Sequence, residues 1–118
     1  MTVRIKRIYE PADPGDGYRV LIDRLWPRGV AKDQAHVDEW ARDLAPSGEL
    51  RRWFGHDPSR FEQFARRYRA ELAAQTDALD ALRARARDQT VTIVFAARDE
   101  AHSNAAVLAA LLGEDDAG

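Results

Sequence analysis

The chain has 118 residues, 45% of them hydrophobic, with 18 Lys and Arg against 20 Asp and Glu and no cysteine. A chain of this length is expected to form one compact domain that buries roughly two thirds of its unfolded surface. The near-balanced charge does not favour nucleic acid as a partner, and the lack of Cys excludes a disulfide scaffold, a thiolate metal site and a cysteine nucleophile.

No apolar run approaches the roughly 20 residues of a membrane span, and the opening MTVRIKRIYE lacks a signal-peptide core. A cytoplasmic protein with no membrane partner is therefore expected. The basic residues are sixteen Arg and two Lys, a skew that a GC-rich genome produces unaided. Arg forks do suit phosphate and carboxylate recognition, but only their placement bears on function.

In chain order, Val3 to Tyr9 alternates with β-branched residues and predicts a strand. The eight-residue stretch Glu10–Gly17 (EPADPGDG) is a loop. Tyr18 to Leu25 carries the run Val20-Leu21-Ile22, which fits a strand covered on both faces. Eight residues are few for a parallel crossover. The two strands therefore either pair antiparallel or are not neighbours. From Lys32 to Leu44 two readings stand: a helix, or a helical turn near Lys32 followed by an extended stretch that ends before Pro46.

Ser47 is placed to cap a helix through Phe54, with Gly55 as its stop. Asp57-Pro58 opens the next helix, Pro58 to Ala73, with Phe61, Phe64, Ala65, Tyr68 and Leu72 on one stripe and Arg60, Arg66, Arg67 and Arg69 mostly outside it. Thr76 to Arg87 is a further helix, and TVTIVFAA a largely buried strand. Asp99 is then expected to cap a last helix closed by Gly113, with residues 114–118 as a frayed acidic tail. The fold class is α/β: a single domain with a small, mainly parallel sheet flanked by helices.

Ligands of open α/β sheets bind where strands end, and two predicted strand ends are unusually polar. In Asp23-Arg24-Leu25-Trp26-Pro27-Arg28, the two Arg could clamp an anion, Trp26 offers a stacking face, and Asp23 could orient an Arg or act as a base. An ion pair stabilising a turn, with Trp26 in the core, would leave the same pattern. In Arg98 to Asn104, His102 falls in the first turn of the last helix, where backbone N–H groups favour anions, although Asp99 and Glu100 occupy the same place. A capped helix with a surface His is the plainer alternative.

His56, on a loop between helices, has the chemistry of a general acid or base or of a helix-end hydrogen-bond partner. Ser47 is first a cap, and a nucleophile only with His56 or His102 in reach. No His pair has HxH or HExxH spacing, so no metal site is assigned, and no cofactor is indicated.

Three blocks, VLIDRLWPRG (20–29), LAPSGELRRWFGHDP (44–58) and VFAARDEAHSNA (94–105), resemble the domain-of-unknown-function family 488 in its YeaO-like branch. The resemblance runs from Val3 to about Leu112 and implies a small bacterial or archaeal α/β fold without an assigned reaction. Broader members carry a Cys and a Glu after the last strand and a Cys-His-Arg group opening the last helix. Here those stretches read Ala96-Ala97-Arg98-Asp99 and His102-Ser103-Asn104, so a thiol-dependent role is closed to this chain. Asp23-Arg24 matches the family's Asp-x-Arg strand end. The resemblance also favours the extended reading of Val37 to Leu44.

The function expected is a pocket for a small anionic molecule, nucleotide or phosphosugar-like. Asp23, His56 and His102 would do any acid–base chemistry, and Arg24, Trp26, Arg28, Ser47 and Asn104 would bind. The alternative is a non-enzymatic protein whose Arg-bearing helix face contacts RNA or a protein.

Overall fold

The computed structural model describes residues 2–117. Four strands, β1 (Val3–Arg7), β2 (Tyr18–Leu21), β3 (Glu39–Trp40) and β4 (Val91–Phe95), form one sheet in the order β1-β4-β2-β3, every pair parallel. Five helices accompany them: α1 (Lys32–Ala35), α2 (Gly48–Phe54), α3 (Phe61–Leu72), α4 (Thr76–Asp88) and α5 (Asn104–Ala117). The short loop after β1 is accommodated because β1 and β2 are not neighbours: β4 lies between them, with Val20 and Ile5 both opposite Ile93.

β2 ends at Leu21, earlier than the sequence reading, because beyond Ile22 the chain leaves the ladder at Asp23. The middle segment takes the second of its two readings. A helical turn, α1, is followed by the two-residue β3 and a 3₁₀ turn at Arg42–Leu44.

The caps follow sequence chemistry. Ser47 Oγ accepts from Leu50 N–H at 3.1 Å, Asp57 accepts from Ser59 N–H at 3.0 Å, and Gly55 stops α2 at φ +54°. Pro58–Arg60 forms a 3₁₀ turn, so α3 starts at Phe61. The last helix departs from expectation at both ends. Residues 101–103 form a turn, and Ser103 Oγ accepts from Ala106 N–H at 3.1 Å. His102 therefore precedes α5 instead of lying in its first turn, and Asp99 caps that turn through His102 N–H. At the other end α5 continues through Gly113 to Ala117, so the tail read as frayed from Glu114 is helical that far. Gly118 lies outside the described residues. Glu114 is tied to Arg69 at 2.9 and 3.0 Å.

The two faces of the sheet are covered unequally. Val20, Ile22, Val91, Ile93 and Phe95 pack into one core with Leu50, Phe54, Phe64, Tyr68, Leu72, Leu79, Leu82, Leu108 and Leu112 of the helices. On the opposite face the buried apolar cluster among the described residues is small, Ile8, Leu21, Ala35 and Val94, with Trp26, Val30, Val37 and Trp40 packed around them. Irregular chain covers the rest of that face, and its polar backbone needs partners.

Those partners centre on Asp16, which is fully buried. Its carboxylate accepts from Lys6 Nζ at 2.9 Å and Arg19 Nη1 at 2.6 Å. Arg19 also donates to the carbonyls of His36 and Ala35, and Thr92 Oγ1 donates to the carbonyl of Asp16. Burial alone would raise the Asp16 pKa. The hydrogen bonds from Lys6, the Asp13 backbone and Arg19 more than offset that and hold it below the ordinary aspartate value.

Gly17 is required immediately after this carboxylate. Its φ is +64°, and a Cβ there would lie 2.2 Å from the Thr90 carbonyl oxygen. Gly17→Ala is expected to cost at least about 2 kcal/mol, from left-handed strain plus the clash, read as a lower urea midpoint with an unchanged slope. Asp16→Ala leaves Arg19 buried beside an empty site and is expected to cost about 3 kcal/mol or more, read in the same titration.

Candidate functional site

The carboxyl ends of β2 and β4 open into a cavity of about 410 Å³. The chain after β2 contributes Asp23, Arg24, Leu25, Trp26, Pro27 and Arg28. α2 and its flanks contribute Pro46, Arg51, Phe54 and His56, and α3 contributes Phe64. The chain after β4 contributes Ala96, Ala97, His102, Ser103 and Asn104. Parallel strands and short loops dictate this convergence, since every strand delivers its following loop to the same edge of the sheet.

Asp23 is held at both of its carboxylate oxygens. Its Oδ2 accepts the Ala96 N–H at 3.0 Å, which ties the end of β2 to the end of β4. Asn104 Nδ2 donates to the Ile22 carbonyl at 3.2 Å and lies 3.4 Å from Asp23 Oδ1. The Asp23 carbonyl accepts from Trp40 Nε1 at 2.7 Å. Arg7 fixes the far side of the opening by donating to the carbonyls of Ala97 and Ala96 at 2.9 and 3.2 Å. Burial pushes the Asp23 carboxyl above its ordinary pKa, against the opposing pull of Asn104, Ala96 N–H, Arg51 and His56. Tyr68, buried beneath, is raised in turn by its burial and by the charges of Asp23 and Glu71; its hydroxyl donates to the Leu44 carbonyl.

Both cavity histidines sit on constrained backbone or a defined partner. His56 has φ +57°, directly after Gly55 at +54°, and its ring lies 6.2 Å from that of Phe54. A non-glycine residue in the left-handed region costs roughly 1–2 kcal/mol. His102 Nδ1 lies 2.7 Å from Asp99 Oδ2, and its ring meets Phe61 edge-on at 5.1 Å. That hydrogen bond to His102 is the chief reason the Asp99 carboxyl lies below its ordinary pKa.

Seven of the eight residues singled out in the sequence line this one cavity; Ser47 does not. Ser47 Oγ donates to Glu71 at 2.7 Å, its N–H donates to the same carboxylate at 2.8 Å, and it caps α2. It faces a separate hollow of about 200 Å³ with Arg24, Arg42 and Glu71. Trp26 is at the cavity edge, but its ring is engaged elsewhere. It packs on Trp40 at 5.3 Å, lies under Lys32 Nζ at 5.7 Å, and donates from Nε1 to the Val30 carbonyl. It serves the second core as much as the cavity.

Arg51 was not singled out, although it follows Ser47 by one helical turn and precedes His56 by five positions. With Ser47 as the cap and Gly55 as the stop, that spacing places Arg51 on the turn of α2 that leads to His56.

The family described as the inactive DUF488-N3 subclade matches residues 2–117. The chain belongs to this DUF488 family. Among its relatives, the uncharacterised proteins Rv3073c of Mycobacterium tuberculosis and Mb3100c of Mycobacterium bovis are each 52% identical over 93% of this chain and 92% of their own. The uncharacterised protein YeaO of Escherichia coli is 39% identical over 92% of this chain and 95% of its own. No solved structure matches the chain. Among the described residues of this DUF488 chain, no helix is long and apolar enough to cross a membrane.

The raised Asp23 carboxyl makes a signed prediction. Its folded pKa lies above the unfolded value of about 3.9, so its stabilising contribution is complete below that value and lost as pH rises through the folded pKa. Asp23→Asn stays neutral throughout. Relative to wild type, its unfolding free energy should therefore climb as pH rises from about 4 and then level off. A difference that is flat across pH would mean that Asp23 titrates as an ordinary carboxyl.

Proposed function

We propose that this protein binds a small anionic molecule in the cavity over the carboxyl ends of β2 and β4, and does so without turning it over. One observation carries the reading. Arg24, Arg28, Arg51, His56 and His102 converge on a cavity in which Asp23 is the one carboxylate among the described lining residues, and whose remaining wall is largely apolar. Guanidinium groups at the edge of an apolar recess attract and orient phosphate or carboxylate. The left-handed His56 supports a selected geometry, since such backbone positions gather at ligand sites.

A binding role without turnover agrees with the description of the subclade as inactive and with a chain that has no cysteine. Acid–base catalysis by Asp23 with His56 or His102 is the second reading. It is favoured by the raised Asp23 carboxyl, which shares the cavity with both imidazoles.

The Arg-bearing face of α3 and the turn before it fits a polymer-binding role less well, because three of its four guanidinium groups are engaged within the chain. Arg60 and Arg67 lie over the Trp53 ring at 5.4 and 5.0 Å, Arg69 holds Glu114, and Arg66 pairs loosely with Glu62.

Thermal-shift measurement against phosphate, nucleotides and phosphosugars tests the binding reading. A ligand at one hundred times its Kd should stabilise by about 2.7 kcal/mol. Arg28→Ala and Arg51→Ala should each abolish most of that shift, while Arg66→Glu should leave it intact. A panel without any stabilising anion overturns the proposal. Conversion of a bound compound that is lost in Asp23→Asn would establish the catalytic reading instead.

A further inference from the structure

The cavity pairs its cations with a fixed acceptor, and the two together define the ligand more narrowly than charge does. Asp23 is not a free surface acid. Ala96 N–H holds one carboxylate oxygen at 3.0 Å, and Asn104 Nδ2 lies 3.4 Å from the other. Asn104 is itself committed to the Ile22 carbonyl and, through Oδ1, to Ala105 N–H. An ionised carboxylate has about four lone-pair sites, so each oxygen keeps one beyond these contacts, and the side chain lines the cavity. The result is a rigid two-oxygen acceptor beside the apolar surfaces of Phe54, Phe64 and Pro46, with guanidinium groups on the same recess.

A planar ligand edge with two adjacent N–H donors is the complement of such a carboxylate. Among the standard nucleobases only guanine presents one, N1–H beside N2–H₂. Adenine and cytosine each present one amino donor beside ring or carbonyl acceptors along their pairing edges, and uracil sets a single N–H between two carbonyls. Arg51 and His56 line the same cavity as Asp23 and are the donors there for an acceptor such as the guanine O6. A guanidinium compound offers a similar donor edge, but its positive charge is opposed by Arg24, Arg28 and Arg51.

Resting on the anion-binding reading above, we propose that the ligand is a guanine nucleotide. Asp23 receives N1–H and N2–H₂ of the base, the ring lies against the Phe54 side of the recess, and the phosphate meets Arg24 and Arg28. A cavity of about 410 Å³ falls within the range of small-molecule sites.

Calorimetry of the wild-type protein with GMP, IMP, XMP, AMP and glucose 6-phosphate at one ionic strength tests this. GMP should bind tightest. IMP, which lacks only the N2 amino group, should be weaker by about tenfold or more, since a carboxylate oxygen then loses its donor. AMP should be weaker still.

Asp23→Asn replaces one acceptor with a donor, so it should lose GMP and gain XMP, whose C2 carbonyl accepts. That gain also shows that the variant is folded, and the GMP-to-IMP ratio of the wild type stands if the variant is not. Equal affinity for GMP, IMP and AMP, or binding of glucose 6-phosphate alone, overturns the guanine assignment and leaves the anion pocket standing. Failure of all five to bind overturns both.

Discussion

The carboxylate of Asp16, fully buried between Lys6 and Arg19, holds in place the covering of one whole face of the sheet. A parallel sheet is stable in water only when both faces are covered. Here α2 to α5 all pack on one side, and the other side is left to loops and the four-residue α1. Loops carry backbone groups that no ladder satisfies, and Arg19 answers this directly by reaching from β2 to the carbonyls of Ala35 and His36. A guanidinium so deeply placed needs a counter-charge, and Asp16 supplies it at 2.6 Å. The second face is thus held by a charged hub where a longer chain would lay a helix.

The same economy of helix shapes the cavity. Because β2 ends at Leu21, the chain from Asp23 to Arg28 crosses the carboxyl edge of the sheet as loop, and its first residue turns back to hold β4 through Ala96. The floor of the cavity is therefore part of the joint between two strands. Its walls come from elements that also build the main core, Phe54 and Phe64 among them, stacked with ring centroids 4.3 Å apart. A site made of such parts is rigid at its base and adaptable at its rim, where Arg24, Arg28, Arg51 and His56 are exposed.

Much of this was legible in the sequence because it rests on local chemistry. The Ser47 and Asp57 caps, the Gly55 stop, the Phe64-Tyr68-Leu72 stripe and the polar strand ends are each written in a few adjacent residues. What was not legible depends on residues distant in the chain. Asp16 lies among acids and prolines that look solvated, and only its pairing with Lys6 and Arg19 makes it a core residue. Ser47 is drawn from the cavity by Glu71, which is 24 positions away. Gly113 looked like a helix stop, yet nothing lies within 4 Å of the position of its missing side chain. The helix passes through it, and Glu114 beyond it pairs with Arg69.

The strand order has a consequence for how the molecule is made. Among the described residues β4 is the last strand in chain order; it pairs with β1 and separates it from β2. A nascent chain emerging from the ribosome can join β2 to β3 early, but β1 must wait, with Val3 and Ile5 unpaired, until the segment Val91–Phe95 has left the exit tunnel. Closure of the sheet across some ninety residues is a long-range step of the kind that slows folding, and it delays the assembly of the recess until β4 has been made.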